Sequence, residues 1–70
     1  MATLTGIKLA ALLRERGMSQ KELAEAASLT PASVSRYVNG EREPRALTVA
    51  ALAEILGVKP SDIILSLIHI

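Results

Sequence analysis

Residues 19–40, SQKELAEAASLTPASVSRYVNG, constrain this chain more than any other stretch of it. They read as two short helices with almost nothing between them. Ser19 and Glu22 stand in the S-x-x-E spacing of a capping box, where hydroxyl and carboxylate each accept a bond from the other residue's backbone N–H. Leu23, Ala24 and Ala27 then recur at helical spacing and give the first helix an apolar side. Thr30-Pro31 opens the second, with a hydroxyl at the N-cap and proline at N1, where its missing N–H costs nothing. Asn39-Gly40 closes it with the two residues most tolerant of left-handed backbone. Only Ser28 and Leu29 separate the last apolar residue of one helix from the cap of the next, so the helices must cross steeply.

The remainder must supply a core around that pair. A chain of 70 residues hides only about 60% of its unfolded surface, so a single small domain spanning 1–70 is expected. Half the residues are hydrophobic, yet Tyr37 is the sole aromatic, and the core is therefore Leu, Ile, Val and Ala packed at close helix–helix contacts. Nothing alternates in the manner of a strand. A first helix is expected at about 5–16, with Leu9, Leu12 and Leu13 inward and Gly17 ending it. A charged loop follows the central pair at 41–44, and Pro44 stops the preceding helix from continuing. A fourth helix at about 46–56 should turn Leu47, Leu52, Ile55 and Leu56 inward and stop at Gly57. Pro60 should start a short fifth helix reaching Leu65. The expectation is an all-α, compact five-helix bundle.

The far end is more apolar than its place requires. Leu65, Leu67, Ile68 and Ile70, within an apolar end at about 63–70, offer more hydrophobic surface than a last helix on so small a core can hide. Such a patch suggests a partner, here a second copy of the chain; a tail folding back over its own domain is the alternative. The chain has no cysteine, which removes disulfides and thiolate metal sites and fits a cytoplasmic protein. It shows neither a signal-peptide pattern nor an apolar run near the roughly 20 residues of a membrane span. A net charge of +1 does not by itself suggest nucleic acid.

The order of local patterns is more specific. Gly17-Met18-Ser19-Gln20 precedes Glu22-Leu23-Ala24, then come Thr30-Pro31-Ala32-Ser33-Val34-Ser35, Asn39-Gly40, Pro44, and Leu52-Ala53-Glu54-Ile55-Leu56-Gly57-Val58. In that order and spacing the chain resembles, over 9–65, the DNA-binding domain of the lambda-repressor/Cro-like (xenobiotic-response-element type) helix-turn-helix family of phage repressors, small bacterial regulators and antitoxins. Two places depart from the family pattern. An arginine–glutamate pair that many members carry falls on Leu13 and Val38, so an ion pair is replaced by an apolar contact, an exchange that is often neutral or stabilising. Ser28 stands where many relatives have glycine, and should carry left-handed strain.

The resemblance implies that the helix at 31–38 enters the major groove with its N-terminal end toward the bases. Val34 and Val38 would face the core, leaving Pro31, Ala32, Ser33 and Arg36 for base contact. Arg36 is the main specificity candidate, because a guanidinium donates two bonds to guanine O6 and N7, whereas Pro31 and Ala32 could only touch thymine methyls. Gln20 matches the family's phosphate-binding glutamine, at a helix start whose dipole favours an anion. Lys21, Thr30, Asn39, Arg42 and Arg45 are further backbone-contact candidates, with Glu41 and Glu43 diluting the charge of the loop. Leu65, Leu67, Ile68 and Ile70 would form the dimer contact on an inverted-repeat operator in double-stranded DNA.

Plainer roles compete for several of these residues. Lys21 stands four before Glu25 and suits a surface ion pair; Arg14, Glu15 and Arg16 read as a solvated face; Tyr37 reads as a packed aromatic with its hydroxyl at the rim. His69 has no ligand-type neighbours, and it lies at the far end of the chain from Ser19, Ser33 and Ser35, so no catalytic or metal constellation is found and no cofactor is implied. The expectation is a non-enzymatic homodimeric transcriptional regulator, a repressor. The alternative is an antitoxin or protein-interaction module that binds a protein such as a toxin through the apolar end.

Overall fold

The computed structural model describes residues 3–63. Helix α1 spans Leu4–Arg16 and begins one residue earlier than expected, because Thr3 caps it: its hydroxyl accepts from Gly6 N–H at 3.0 Å. Leu9, Leu12 and Leu13 are buried along its inner side. Gly17 ends it in left-handed backbone at φ 62°, and the Met18 N–H closes back on the Leu13 carbonyl at 2.9 Å.

Helix α2, Gln20–Ala26, carries the complete capping box: Ser19 Oγ accepts from Glu22 N–H at 3.0 Å, and Glu22 Oε1 accepts from Ser19 N–H at 2.8 Å. The Ser19 backbone N–H, and after it the Ser19 hydroxyl, hold the Glu22 carboxyl below its ordinary value. Leu23 and Ala24 are buried, whereas Ala27, just past the helix, is only half-buried. Ser28 then takes φ 57°, the strained left-handed conformation anticipated for it. Helix α3, Pro31–Asn39, starts on Thr30, whose Oγ1 accepts from Ser33 N–H at 3.1 Å, and ends at Gly40, φ 78°. Val34 and Tyr37 are its buried residues.

Helix α4 spans Ala46–Leu56 and stops at Gly57. Its buried stripe is Val49, Leu52, Ala53 and Leu56, with Ile55 half-buried at the edge. Leu47, expected inward, is instead 86% exposed. It lies two residues, about 200° around the helix, from Val49, so the two cannot share a face. Beyond α4 the expected fifth helix over 60–65 is replaced, among the described residues, by one 3₁₀ turn, Pro60–Asp62. Asp62 N–H bonds Lys59 O at 2.9 Å and Ile63 N–H bonds Pro60 O at 3.0 Å, so the ladder runs three residues back rather than four. Ile64 and Leu65 fall outside the described residues; Ile63 itself is fully buried and packs into the core.

One core joins all of these elements: Leu9, Leu12, Leu13, Leu23, Ala24, Val34, Tyr37, Val49, Leu52, Ala53, Leu56 and Ile63. Leu13 is buried and Val38 packs half-buried against the same cluster. Two tertiary features carry no periodic signal in the sequence. A Cβ built on Gly6 would collide with the Val38 carbonyl oxygen, so the start of α1 rests directly on the last turn of α3. Arg16, expected as part of a solvated face, donates from Nε to Leu56 O at 2.7 Å and ties the end of α1 to the end of α4. Arg16 also forms the one ion pair among the described residues, with Glu15 at 3.4 Å; Lys21 and Glu25 do not pair.

Three outcomes follow from this packing. Gly6→Ala should destabilise the domain by roughly 1–3 kcal/mol despite alanine's better helix propensity, because the obstructing atoms are backbone. A rise in thermal midpoint for that variant would contradict the close approach. Ser28→Gly should add roughly 0.5–1 kcal/mol in urea unfolding, the relieved left-handed strain exceeding glycine's extra chain entropy. Because the Glu22 carboxyl is held below its unfolded value, its contribution is present at neutral pH and is lost as pH falls through the folded value. Ser19→Ala removes the hydroxyl and keeps the backbone N–H, so it should lower the plateau of a stability–pH curve and flatten its acid limb only in part.

Candidate nucleic-acid interface

Helix α3 is two-sided, and its neighbours determine which side is free. Val34 and Tyr37 point into the core, while Pro31, Ala32 and Arg36 are exposed. Ala32 and Arg36 stand four residues apart, one above the other on the outer face, so a cationic fork and a methyl group share one strip of surface. Neither an ion pair nor a side-chain hydrogen bond engages Arg36 among the described residues. Its guanidinium is free to meet a ligand.

The other α3 candidates are less free. Ser33 is half-buried, and its Oγ accepts a bond from Thr30 Oγ1 at 3.0 Å. Thr30, a backbone-contact candidate, thus spends its hydroxyl on the N-cap, both accepting from Ser33 N–H and donating to Ser33 Oγ. Asn39 is exposed at the opposite end of α3 and donates from Nδ2 to Ser35 Oγ at 3.3 Å. Gln20 is half-buried and Lys21 exposed, at the first two positions of α2.

The loop after α3 is anchored to that helix. Glu41 N–H bonds the Arg36 carbonyl at 2.9 Å and Arg42 N–H reaches the same oxygen at 3.4 Å. Pro44 is buried, which leaves Arg42 and Arg45 exposed on either side of it. Glu43 is drawn toward α1, its Oε2 accepting from the largely buried Thr5 hydroxyl at 3.2 Å. Ser33, Arg42 and Arg45 meet at one cleft of about 340 Å³, completed by Leu29, Tyr37, Glu43 and Thr48. Pro31, Ala32, Gln20 and Lys21 are not part of that cleft.

Sequence reasoning missed Thr48 and the Thr5–Glu43 bond, both set by how the loop folds back on α1 and α4, and placed Tyr37 without its cleft. The dimer candidates Leu65, Leu67, Ile68 and Ile70, and His69, fall outside the described residues. Among the described residues no group of His, Asp and Glu could hold a metal ion, and no helix is long and apolar enough to cross a membrane.

Known proteins share this arrangement. A crystal structure of the clp gene regulator ClgR from C. glutamicum superposes with a TM-score of 0.81 at 24% identity, covering 94% of this chain and 86% of that one. A second ClgR structure, from Corynebacterium glutamicum, gives 0.83 at 24% identity, covering 94% and 70%. At that identity the likeness concerns the fold. In sequence, the chain is 31% identical over 64 residues to an uncharacterised HTH-type transcriptional regulator, y4dJ, of Sinorhizobium fredii, spanning 91% of this chain and 83% of the relative. A helix-turn-helix family model matches residues 9–63, from the first core leucine of α1 to the buried Ile63. The chain belongs to the Cro/C1-type helix-turn-helix family.

Proposed function

We propose that this chain is a sequence-specific transcriptional regulator, a repressor, that binds an inverted repeat in double-stranded DNA as a homodimer. One observation carries the reading: α3 buries Val34 and Tyr37 and thereby holds Pro31, Ala32 and Arg36 outward on a rigid helix. A helix so mounted can enter a major groove, its N-terminal half facing the bases. Arg36 then supplies two donors for guanine O6 and N7, and Ala32 and Pro31 supply apolar contact for thymine methyls. Ser33, already bonded to Thr30, adds a single hydroxyl at the edge of that surface.

Phosphate contacts flank the reading helix. Gln20 and Lys21 occupy the start of α2, Asn39 ends α3, and Arg42 and Arg45 lie beyond it; Thr30 contributes by capping α3, its hydroxyl being committed to Ser33. The acidic Glu41 and Glu43 keep the number of such contacts modest, so salt dependence should be moderate, about 0.9 in logarithmic slope for each phosphate neutralised. One domain reads only a few base pairs. A two-fold dimer would place two copies of α3 about 34 Å apart, one turn of the duplex. The apolar residues Leu65, Leu67, Ile68 and Ile70 are the sequence's own candidates for that contact.

Selection from a random duplex pool tests the reading. The native chain should enrich a palindromic motif, and Arg36→Ala should lose roughly 1–3 kcal/mol of discrimination at guanine positions while keeping the rest of the motif. An Arg36→Ala variant that enriches the same motif with the same stringency would remove Arg36 as the reader. A native chain that enriches nothing at low salt would remove the regulator reading.

A further inference from the structure

We propose that Ser35 is a further base-reading residue of α3, and that Asn39 sets the direction in which its hydroxyl reads. The inference rests on the regulator reading above and concerns a residue to which neither a cap nor the core gives a task. Val34 and Tyr37 mark the inward side of α3. At about 100° per residue the opposite side runs through Ala32, Ser35, Arg36 and Asn39, at three- and four-residue spacings. Ser35 stands directly before Arg36 and one turn after Ala32; it is half-buried, while Ala32, Arg36 and Asn39 are exposed. It is the one hydroxyl on the strip that carries the guanidinium.

A serine hydroxyl can donate or accept, so by itself it tells bases apart poorly. Ser35 is not left to itself. Asn39, one turn further on, donates from Nδ2 to Ser35 Oγ at 3.3 Å, the only side-chain hydrogen bond of either residue among the described residues. A hydroxyl that already accepts one bond is the stronger donor for the next, because each bond polarises the other. Ser35 therefore meets a ligand as a donor. Ser33 is bonded in the same sense to Thr30, but it lies off this strip, in the cleft beside Arg42 and Arg45.

In the major groove a donor finds acceptors on guanine (N7 and O6), adenine (N7) and thymine (O4), whereas cytosine offers only its N4 donor. Ser35 so directed admits the first three and rejects cytosine. Its place beside Arg36 puts that discrimination next to the guanine assigned to the guanidinium. Asn39 keeps its second Nδ2 hydrogen, so its contact with a flanking phosphate is not lost.

Selection from a random duplex pool, run with the native chain and the variants Ser35→Ala, Ser35→Thr and Asn39→Asp, tests the assignment. The native motif should hold, beside the guanine that depends on Arg36, a position where cytosine is disfavoured about fivefold, the size of one neutral hydrogen bond. Ser35→Ala should make that position indifferent and leave the guanine in place. Ser35→Thr, which keeps the hydroxyl, should retain the bias. Asn39→Asp replaces the amide donor with a carboxylate that only accepts, so the hydroxyl must donate to it and turn its lone pairs outward. Cytosine should then become the favoured base there, in addition to a weaker hold on every sequence.

A motif that Arg36→Ala alters and Ser35→Ala leaves unchanged overturns the readout by Ser35 and spares the regulator reading. A native preference for cytosine at that position, or an Asn39→Asp motif that still rejects it, overturns the role given to Asn39. A native chain that enriches nothing removes the regulator reading and this inference with it, so the two failures are told apart by the native motif.

Discussion

The burial of Val34 and Tyr37 in the core, with α3 packed on α1 and α2, fixes the rotation of α3, and nearly every other feature of this domain depends on that rotation. A nine-residue helix has too few bonds of its own to be stable alone in water, so packing must hold it. The two buried residues face a cluster of leucines and valines with almost no exposed area. That leaves only one strip of α3 for solvent. Were the helix turned by one residue, Arg36 would be driven toward the core and its charge would have to be desolvated, a cost well above what packing could return. The same apolar contact that stabilises the fold therefore orients the surface we propose for DNA.

The two ends of α3 are held by different means. At the start, Thr30 caps the helix and Pro31 presets its first turn, after a turn that Ser28 makes only by accepting left-handed backbone. At the end, the Val38 carbonyl lies against Gly6, where any side chain would collide with it. The loop that follows is tied back by two amides on the Arg36 carbonyl and by Glu43 on Thr5. These bonds bring Arg42 and Arg45 around to the same side as Ser33 and Tyr37, and so a strip of helix becomes a strip beside a cleft.

Much of this was legible from residue types and their spacing. Capping boxes, N1 proline and helix-ending glycines act within a few residues, so Ser19, Glu22, Thr30, Pro31, Gly17 and Gly57 could be assigned their roles without knowing the fold. The exposed strip of α3 followed from the resemblance, which turned Val34 and Val38 inward and Pro31, Ala32, Ser33 and Arg36 outward; Pro31, Ala32 and Arg36 are exposed, while Ser33 and Val38 are half-buried and Tyr37 joins Val34 in the core. What escaped was set by contacts distant in sequence. Helix α4, ALTVAALAEIL, carries apolar side chains all the way round, so periodicity could not tell Leu47 from Val49; only the packed neighbours do. Gly6 and Arg16 look like an ordinary helix glycine and a surface cation until α3 and α4 are placed beside them. The 3₁₀ turn at Pro60–Asp62 differs from a helix start only in which carbonyl accepts, a choice no residue there dictates.

The central claim is that the outward strip of α3 is the surface that meets duplex DNA. Amide and side-chain chemical shifts, followed as selected duplex is titrated into the native chain, test it most directly. The account predicts the largest changes at Ala32, Ser33 and Arg36, smaller ones at Gln20, Arg42 and Arg45, and almost none at the exposed apolar residues Leu4, Ile7 and Leu47. Changes concentrated on Leu4, Ile7 and Leu47, with α3 silent, would contradict it and make the apolar surface of α1 and α4 the working face.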